Sequence, residues 1–166
     1  MAAVLLLLVT LQRLGELIHA RRNTRRLLAE GAVEIGARHY PLLVLLHAGW
    51  LGALWLWLIE GRATFVWPFA AAYLLVEVAR IWTMASLGRY WTTRIIVPRY
   101  APLVRQGPYR WLRHPNYWVV AAEIPLLPLA LDAPALALAF ALLNAAVLAW
   151  RIRVEESTLV PRRAPL

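Results

Sequence analysis

Long apolar runs alternate with short polar segments along the whole chain. The runs are Ala2–Leu11, Leu42–Ile59, Phe65–Met84, Tyr117–Leu131 and Ala133–Trp150. A helix needs about 20 mainly apolar residues to cross a bilayer, and the first run approaches that length only by continuing through Arg13 and Glu16 to about Ala20. The last two runs are joined by Leu-Asp-Ala-Pro at 131–134, which predicts a short helical hairpin. The pattern therefore predicts an all-α polytopic membrane protein with about five transmembrane helices.

The same pattern divides one membrane domain, residues 1–166, into three parts. Residues 1–86 hold helices one to three, residues 87–116 form a polar segment, and residues 117–166 hold the helical hairpin and a C-terminal extension. The apolar N-terminus lacks the basic start and the cleavage site that are typical of a signal peptide, so we interpret it as the first helix.

Composition supports the membrane class and limits the chemistry. Hydrophobic residues make up 61% of the chain and the mean hydropathy is +0.57, above the values of a typical soluble domain. The chain has no cysteine, which excludes disulfides, thiolate chemistry and a cysteine-bound metal. The four histidines (His19, His39, His47 and His114) do not have the spacing of a metal-binding motif, and no metal site is predicted.

The basic residues are distributed unevenly along the chain. The net charge is +9, and all 18 basic residues are arginines. Fifteen of them lie between helices one and two, between helices three and four, or after helix five, whereas the opposite loops hold only Arg62. The positive-inside rule then places the N-terminus outside and the C-terminus in the cytoplasm. We attribute the charge to topology and to anionic lipid headgroups, and expect no binding of nucleic acid.

Charged residues also fall inside the predicted helices, where they are costly and often functional. Glu77 and Arg80 lie three residues apart and are expected to pair on one helix face. Glu123 is followed by two prolines that free helix carbonyls, and it is expected either to pair with Arg80 or to line a pocket. Arg13 and Glu16 lie near the end of helix one, where their side chains are expected to extend to the interface.

A polar, aromatic and basic cluster stands at the entrance of the fourth helix. It reads Gly-Pro-Tyr-Arg-Trp-Leu-Arg-His-Pro-Asn-Tyr over residues 107–117, and such rings and guanidinium groups can together hold a planar group and a cation. Arg151 and Glu155 lie four residues apart on one face of the fifth helix, at the same predicted membrane depth. If the hairpin places helix five beside helix four, the two clusters meet and form one site.

At these residues the chain resembles the isoprenylcysteine carboxyl methyltransferase family of membrane enzymes. The matching residues are Gly107-Pro108-Tyr109, Arg113-His114-Pro115-Asn116-Tyr117, and Arg151 with Glu155-Glu156 after the short hairpin. Residues 21–23, 31–36 and 39–41 further resemble the bacterial branch found beside type III polyketide synthases, which is similar to alkylpyrone O-methyltransferases. This resemblance implies a protein of the bacterial inner membrane with its active site facing the cytoplasm.

The resemblance also implies a cofactor and a role for each matching residue. The cofactor is S-adenosylmethionine (SAM), and the family's contacts with it fall on Ala101, Pro102, Leu103, Val104, Tyr109, His114, Pro115, Asn116, Tyr117 and Glu155. Arg151 matches the position that binds the methyl-accepting group, so Arg151 and Glu155 are the expected catalytic residues. Residues 101–104 read Ala-Pro-Leu-Val where eukaryotic members have a His-Thr-Leu-Val-like stretch, so contacts there are expected to use the backbone or to differ in detail.

Methyl transfer to a lipophilic acceptor agrees with the residues themselves. The chain has no Gly-x-Gly-x-x-Gly motif, which excludes a Rossmann methyltransferase. Methyl transfer from a sulfonium is an in-line displacement, so an acceptor that is already ionised needs alignment and exclusion of water rather than a strong base. The leading acceptor is an alkylpyrone or phenolic polyketide lipid, followed by a prenylated cysteine carboxylate.

Two other classes of protein remain open from the sequence. An NADPH-dependent membrane sterol or lipid reductase shares the Arg-His-Pro-Asn-Tyr motif, although this chain lacks the Gly-Glu that typically follows it. A non-catalytic membrane scaffold is the third alternative, and it leaves the predicted meeting of Arg151, Glu155 and His114 unexplained.

Overall fold

The computed structural model describes residues 1–37, 40–98 and 104–163, with side chains described as far as Glu155. The α-helices are α1 (Ala2–Ala29), α2 (Tyr40–Ile59), α3 (Trp67–Leu87), α4 (Pro115–Ala130) and α5 (Pro134–Arg163), and the strands are β1 (Val33–Ile35) and β2 (Ile95–Val97). The predicted all-α polytopic membrane fold is confirmed, with one small sheet added to it.

The helices differ in their ability to cross a bilayer. Four of them, α1, α2, α3 and α5, are long and apolar enough to do so. Helix α4 has 16 residues, which corresponds to about 24 Å, shorter than a hydrocarbon core of about 30 Å. The described α-helices therefore number five, but four of them, rather than the predicted five or so, are long and apolar enough to cross a bilayer.

Helix α1 is longer than its apolar run. We predicted that it ends at about Ala20, whereas it continues to Ala29. Residues 21–29 are mostly arginine, leucine and alanine, which favour helix, and the first glycine after them is Gly31 with φ +86°. The change from apolar to polar residues thus marks where the helix is expected to leave the membrane, not where it ends.

The predicted hairpin of α4 and α5 is confirmed, and a neighbouring helix compensates for one of the two prolines in α4. Asp132 adopts φ +55° between the two helices. Pro128 lacks an N–H group, which leaves the carbonyl of Ile124 without its helical donor. The indole of Trp50 on α2 donates to that carbonyl at 3.0 Å, so a neighbouring helix restores the lost hydrogen bond.

The apolar core lies between the helices and draws residues from all five of them. Its most buried large side chains include Leu6, Trp50, Tyr73 and Ile124, which come from α1, α2, α3 and α4 in turn. Many large apolar side chains point outward instead, as expected of helices surrounded by lipid; Ile59 and Leu75 are examples, with 75% and 72% of their surface exposed.

A network of charged side chains is buried between α1, α3 and α4. Arg80 donates to both carboxylate oxygens of Glu16, at 2.8 and 2.6 Å, and to Glu123 at 2.8 Å. Arg13 lies 2.7 Å from Glu77 and 3.1 Å from Glu123. These contacts link three helices inside the bundle, where the loss of one partner would leave a buried charge uncompensated.

One predicted pair and one predicted location in this network are wrong. The expected pair of Glu123 with Arg80 is confirmed, but Glu77 pairs with Arg13 of α1 rather than with Arg80. Arg13 and Glu16 are buried rather than extended to the interface, with 11% and 9% of their side chains exposed. The reason is the packing of α1 against α3, which offers each acid a closer partner than its own helix does.

The small sheet joins two segments that are distant in the chain. Strands β1 and β2 pair antiparallel, with Glu34 opposite Ile96 and Ile35 opposite Ile95. We did not predict this sheet, because strands of three residues are too short to show an alternating pattern. It fastens the segment after α1 to the segment after α3, at the end of the bundle where α4 begins.

Candidate functional site

A cavity of about 500 Å³ lies at this end of the bundle. Its walls are the segment after α3 with β2, the polar cluster that precedes α4, the first turn of α4, and α5. Helix α1 also contributes, through Leu27. Segments from both halves of the chain thus line the cavity.

Arg151 is fixed in this cavity by two acceptors. Its Nε donates to the hydroxyl of Tyr117 at 2.8 Å, and one Nη2 hydrogen is donated to the backbone carbonyl of Thr93 at 2.9 Å. The Tyr117 hydroxyl in turn donates to Glu155. A single hydroxyl therefore links the guanidinium and the carboxylate.

His114 completes the contact between α4 and α5. Its ring stacks on that of Tyr117, with centroids 5.2 Å apart and an angle of 20° between the planes. Its Nδ1 lies 3.7 Å from an oxygen of Glu155. The predicted meeting of the cluster before α4 with Arg151 and Glu155 is confirmed as geometry.

The cluster before α4 is held against α3 by a close backbone approach at Gly107. This residue has φ +56°, and a Cβ atom there would lie 2.0 Å from Oγ of Ser86. Both its conformation and its surroundings therefore require glycine. The side chain of Gln106 reinforces the contact by donating to the carbonyl of Ser86 at 2.8 Å.

The cavity is strongly basic. Five of its lining residues are arginines, namely Arg94, Arg105, Arg110, Arg113 and Arg151. Among its described lining residues Glu155 is the one acid. Such a cavity attracts an anionic group and offers a cationic group one favourable position, beside Glu155.

Tyr109 and two unpaired buried atoms extend this polar lining. Burial raises the pKa of the Tyr109 phenol, and the nearby charge of Glu155 adds to the effect, so this hydroxyl stays protonated at neutral pH. Oδ1 of Asn116 and Nε1 of Trp91 are buried and have no hydrogen-bond partner within the described part of the chain. Both residues line the cavity. A buried polar atom without a partner is costly, so a ligand with a donor and an acceptor fits these two positions.

Most of the predicted site residues line this cavity. They are Val104, Tyr109, His114, Asn116, Tyr117, Arg151 and Glu155. Pro115 is the buried first residue of α4 and lines a separate groove between α3 and α4. Ala101, Pro102 and Leu103 lie outside the described residues, and so does the side chain of Glu156.

Several lining residues were not predicted from the sequence. Leu27, Arg94 and the residues of β2 all contribute to the wall, and Thr93 contributes its carbonyl to Arg151. For the part of the wall that β2 forms, the sequence signal is a short apolar run, Ile-Ile-Val. A backbone carbonyl leaves no signal in the sequence.

The fold and the cavity define a class: a membrane protein with a polar, arginine-rich cavity at one end of its helices. The model of the isoprenylcysteine carboxyl methyltransferase (ICMT) family matches residues 69–161, from α3 into α5. The uncharacterised protein YpbQ of Bacillus subtilis (strain 168) is 37% identical over 159 residues, which is 94% of this chain and 95% of that protein. The chain belongs to the isoprenylcysteine carboxyl methyltransferase family.

A more distant relative extends the comparison. An uncharacterised protein of Haemophilus influenzae (strain ATCC 51907 / DSM 11121 / KW20 / Rd) is 27% identical over 142 residues, 83% of each chain. No solved structure matches the chain significantly. The family resemblance seen in the sequence is confirmed, which makes this a member of a family of membrane methyltransferases. The likeness to the branch beside type III polyketide synthases stays a prediction, and the comparisons give no support to the reductase alternative.

Proposed function

We propose that this protein is a SAM-dependent O-methyltransferase that acts on a lipophilic acceptor at the cytoplasmic face of the membrane. The observation that carries the proposal is the convergence of Tyr117, Arg151 and Glu155 on one cavity. The family supports the reaction class, and the basic lining supports an anionic acceptor. The division of the domain into helices one to three, a cofactor-site segment and a helical hairpin is part of this proposal.

The residues around Glu155 suit the polar groups of the cofactor. SAM, when bound, supplies a methyl group on a positively charged sulfur. Glu155 would accept a hydrogen bond from the cofactor's ammonium group, or its negative charge would stabilise the positively charged sulfonium. Oδ1 of Asn116 is a second hydrogen-bond acceptor without a partner among the described residues. His114 and Tyr117 would hold the polar ends, and Tyr109 with Trp111 would shape the adenine side. The remaining proposed contacts are Val104, Pro115 and the residues Ala101, Pro102 and Leu103.

Arg151 suits the orientation of the methyl-accepting oxygen. A guanidinium has five N–H donors in one plane, and Tyr117 and Thr93 take two of them. The others remain for an anionic oxygen, which a planar fork binds well. Because a carboxylate or a hydroxypyrone enolate is already ionised at neutral pH, the reaction needs alignment and exclusion of water rather than a general base.

An apolar groove of about 290 Å³ between α3 and α4 supports a lipophilic acceptor. Leu112 contributes to the walls of both the groove and the cavity, so the two spaces are neighbours. The hydroxyl of Thr83, in the groove wall, is already bonded to the carbonyl of Ala79, so the wall is suited to hydrocarbon. We assign this groove to the acceptor's tail, with an alkylpyrone or phenolic polyketide lipid favoured over a prenylated cysteine.

The arginines support the cytoplasmic orientation. Arginine-rich segments of α1, of the stretch after α3 and of α5 lie at the end of the bundle that holds the cavity, as the contact of Arg89 with Glu30 and that of Arg151 with Thr93 illustrate. The opposite end carries Arg62 on the loop between α2 and α3. The positive-inside rule then favours a cavity that opens to the cytoplasm of a bacterial inner membrane.

Ligand binding in detergent tests the proposal. S-adenosylhomocysteine (SAH), the product of the cofactor, is expected to bind the purified protein at micromolar concentration, whereas NADPH is not. Glu155→Ala should weaken SAH binding, and Arg153→Ala, an exposed neighbour on α5, should leave it unchanged. Binding of NADPH without binding of SAH would overturn the methyltransferase assignment.

A further inference from the structure

The carbonyl that holds Arg151 comes from a segment outside the sequence motifs. Thr93 lies between α3 and β2, and its carbonyl oxygen accepts from Nη2 of Arg151 at 2.9 Å. A backbone acceptor can orient a guanidinium only if the backbone itself is fixed. The neighbours of Thr93 therefore decide whether this contact is geometrically defined.

Thr93 is fixed by side chains from the N-terminal part of the chain. The hydroxyl of Tyr40 hydrogen-bonds Oγ1 of Thr93 at 3.1 Å. The next residue, Arg94, donates to both oxygens of Glu34 at 2.8 and 3.0 Å, and its guanidinium lies 4.4 Å from the centroid of the Tyr40 ring. We call Glu34, Tyr40, Thr93 and Arg94 the Thr93 clamp.

The pairing of β1 with β2 and a hydrogen bond from α1 restrain the backbone on either side of the Thr93 clamp. Glu34 belongs to β1, whose pairing with β2 begins directly after Arg94. On the other side, Asn23 of α1 is buried and donates to the carbonyl of Trp91 at 2.9 Å. The backbone around Thr93 is thus restrained on both sides, and the partly exposed ion pair of Arg94 with Glu34 is not its sole restraint.

We propose that Tyr40 and Thr93 are positioning residues for Arg151. Their hydrogen bond fixes the Thr93 carbonyl, which together with the Tyr117 hydroxyl sets the plane of the Arg151 guanidinium. Tyr40 lies outside the residues that the family model matches, so the N-terminal part of the chain tunes a site built mainly by the C-terminal part. This inference rests on the proposed function, which gives Arg151 its task of orienting the acceptor.

Paired substitutions test the inference. Tyr40→Phe and Thr93→Val each remove one partner of the same hydrogen bond, and each should lower kcat for methyl transfer by about two- to tenfold, the loss expected for one hydrogen bond. SAH affinity should stay at the wild-type level, because Arg151 serves the acceptor rather than the cofactor. Thr93→Ser keeps the hydroxyl and should restore kcat.

The double variant separates positioning from general stability. Tyr40→Phe with Thr93→Val should be no slower than the slower single variant, because both changes break one shared contact. Wild-type kcat in both single variants, additive losses in the double variant, or a fall in SAH affinity parallel to kcat would overturn the inference. Absence of methyl transfer by the wild-type protein would overturn the proposed function and this inference with it, whereas normal transfer by the single variants would overturn this inference alone.

Discussion

The hydroxyl of Tyr117 accepts a hydrogen bond from Nε of Arg151 at 2.8 Å, although 34 residues separate the two in the chain. The same hydroxyl donates to Glu155. The first turn of α4 thereby sets the positions of both charged residues that α5 brings to the cavity. This places a group suited to an anionic oxygen next to a group suited to a cation, an arrangement that agrees with the proposed methyl transfer from a sulfonium.

Removal of the Arg151 guanidinium should abolish turnover. Arg151→Ala takes away the proposed donor for the acceptor oxygen, and Arg151→Lys keeps the charge but loses the planar fork that reaches Tyr117 and Thr93 together. We expect no measurable transfer for the alanine variant and at least about a tenfold loss in kcat for the lysine variant. Arg153→Ala is the matched control, since this arginine is exposed two residues away. Normal turnover by a correctly folded Arg151→Ala variant would contradict the proposed role of Arg151 in the site.

Substitution of Glu155 should show which group of the cofactor its carboxylate binds. Glu155→Ala should abolish turnover. Glu155→Gln retains the shape of the side chain but removes its negative charge. If the carboxylate favours the sulfonium, Glu155→Gln should weaken binding of SAM by about tenfold more than binding of SAH, whose sulfur is neutral. If it binds the ammonium group, both affinities should fall together. Titration of the two ligands by calorimetry decides between these roles, and unchanged affinity for both ligands would contradict either one.

The fold was largely predictable because lipid restricts which residues can face it. Apolar runs of helical length identified the helices, and the turn at 131–134 identified the hairpin. The end of α1 was missed because polar residues such as Arg25 continue a helix as well as apolar ones do. The partner of Glu77 was missed because helix packing, rather than spacing within α3, decides which arginine lies closest.

The candidate site was predictable where the side chain itself is distinctive. His114, Tyr117, Arg151 and Glu155 stand out by type and spacing, and they do meet. Thr93 does not stand out, because its contact with Arg151 uses a carbonyl that every residue has. The wall formed by β2 depends on pairing with β1, a contact between segments about sixty residues apart that no local pattern indicates.

The groove between α3 and α4 should determine which acceptor tails are accepted. Ala122 lines this groove, whereas its neighbour Ala121 is exposed on the same helix. Ala122→Leu adds three carbons to the groove and should raise KM for long-chain acceptors by about tenfold, while short-chain acceptors and SAH are unaffected. Ala121→Leu adds the same atoms outside the groove. Equal KM values for the two variants across a series of acceptor chain lengths would rule out this tail site.

The buried charge network should dominate the response of stability to single substitutions. Arg80→Ala removes one partner of Glu16 and one partner of Glu123, and leaves Arg13 as the remaining cation beside both acids. Removing one partner of a buried ion pair costs about 3–5 kcal/mol. Arg62→Ala breaks a pair with 56% of each side chain exposed, which is worth about 1 kcal/mol or less. Thermal unfolding in detergent should therefore show a large decrease in Tm for the first variant and almost none for the second. Similar Tm values for the two variants would mean that the network does not hold the helices together.

Transfer of labelled methyl from SAM to a lipid acceptor tests the central claim most directly. The wild-type protein and the Arg151→Ala and Arg153→Ala variants would be reconstituted in vesicles with a synthetic alkylpyrone or with farnesylcysteine, and label in the extracted lipid would be counted. We predict that the wild-type and Arg153→Ala proteins label at least one of the two acceptors and that Arg151→Ala labels neither. Absence of label with the wild-type protein and both acceptors, or equal labelling by Arg151→Ala, would contradict the account.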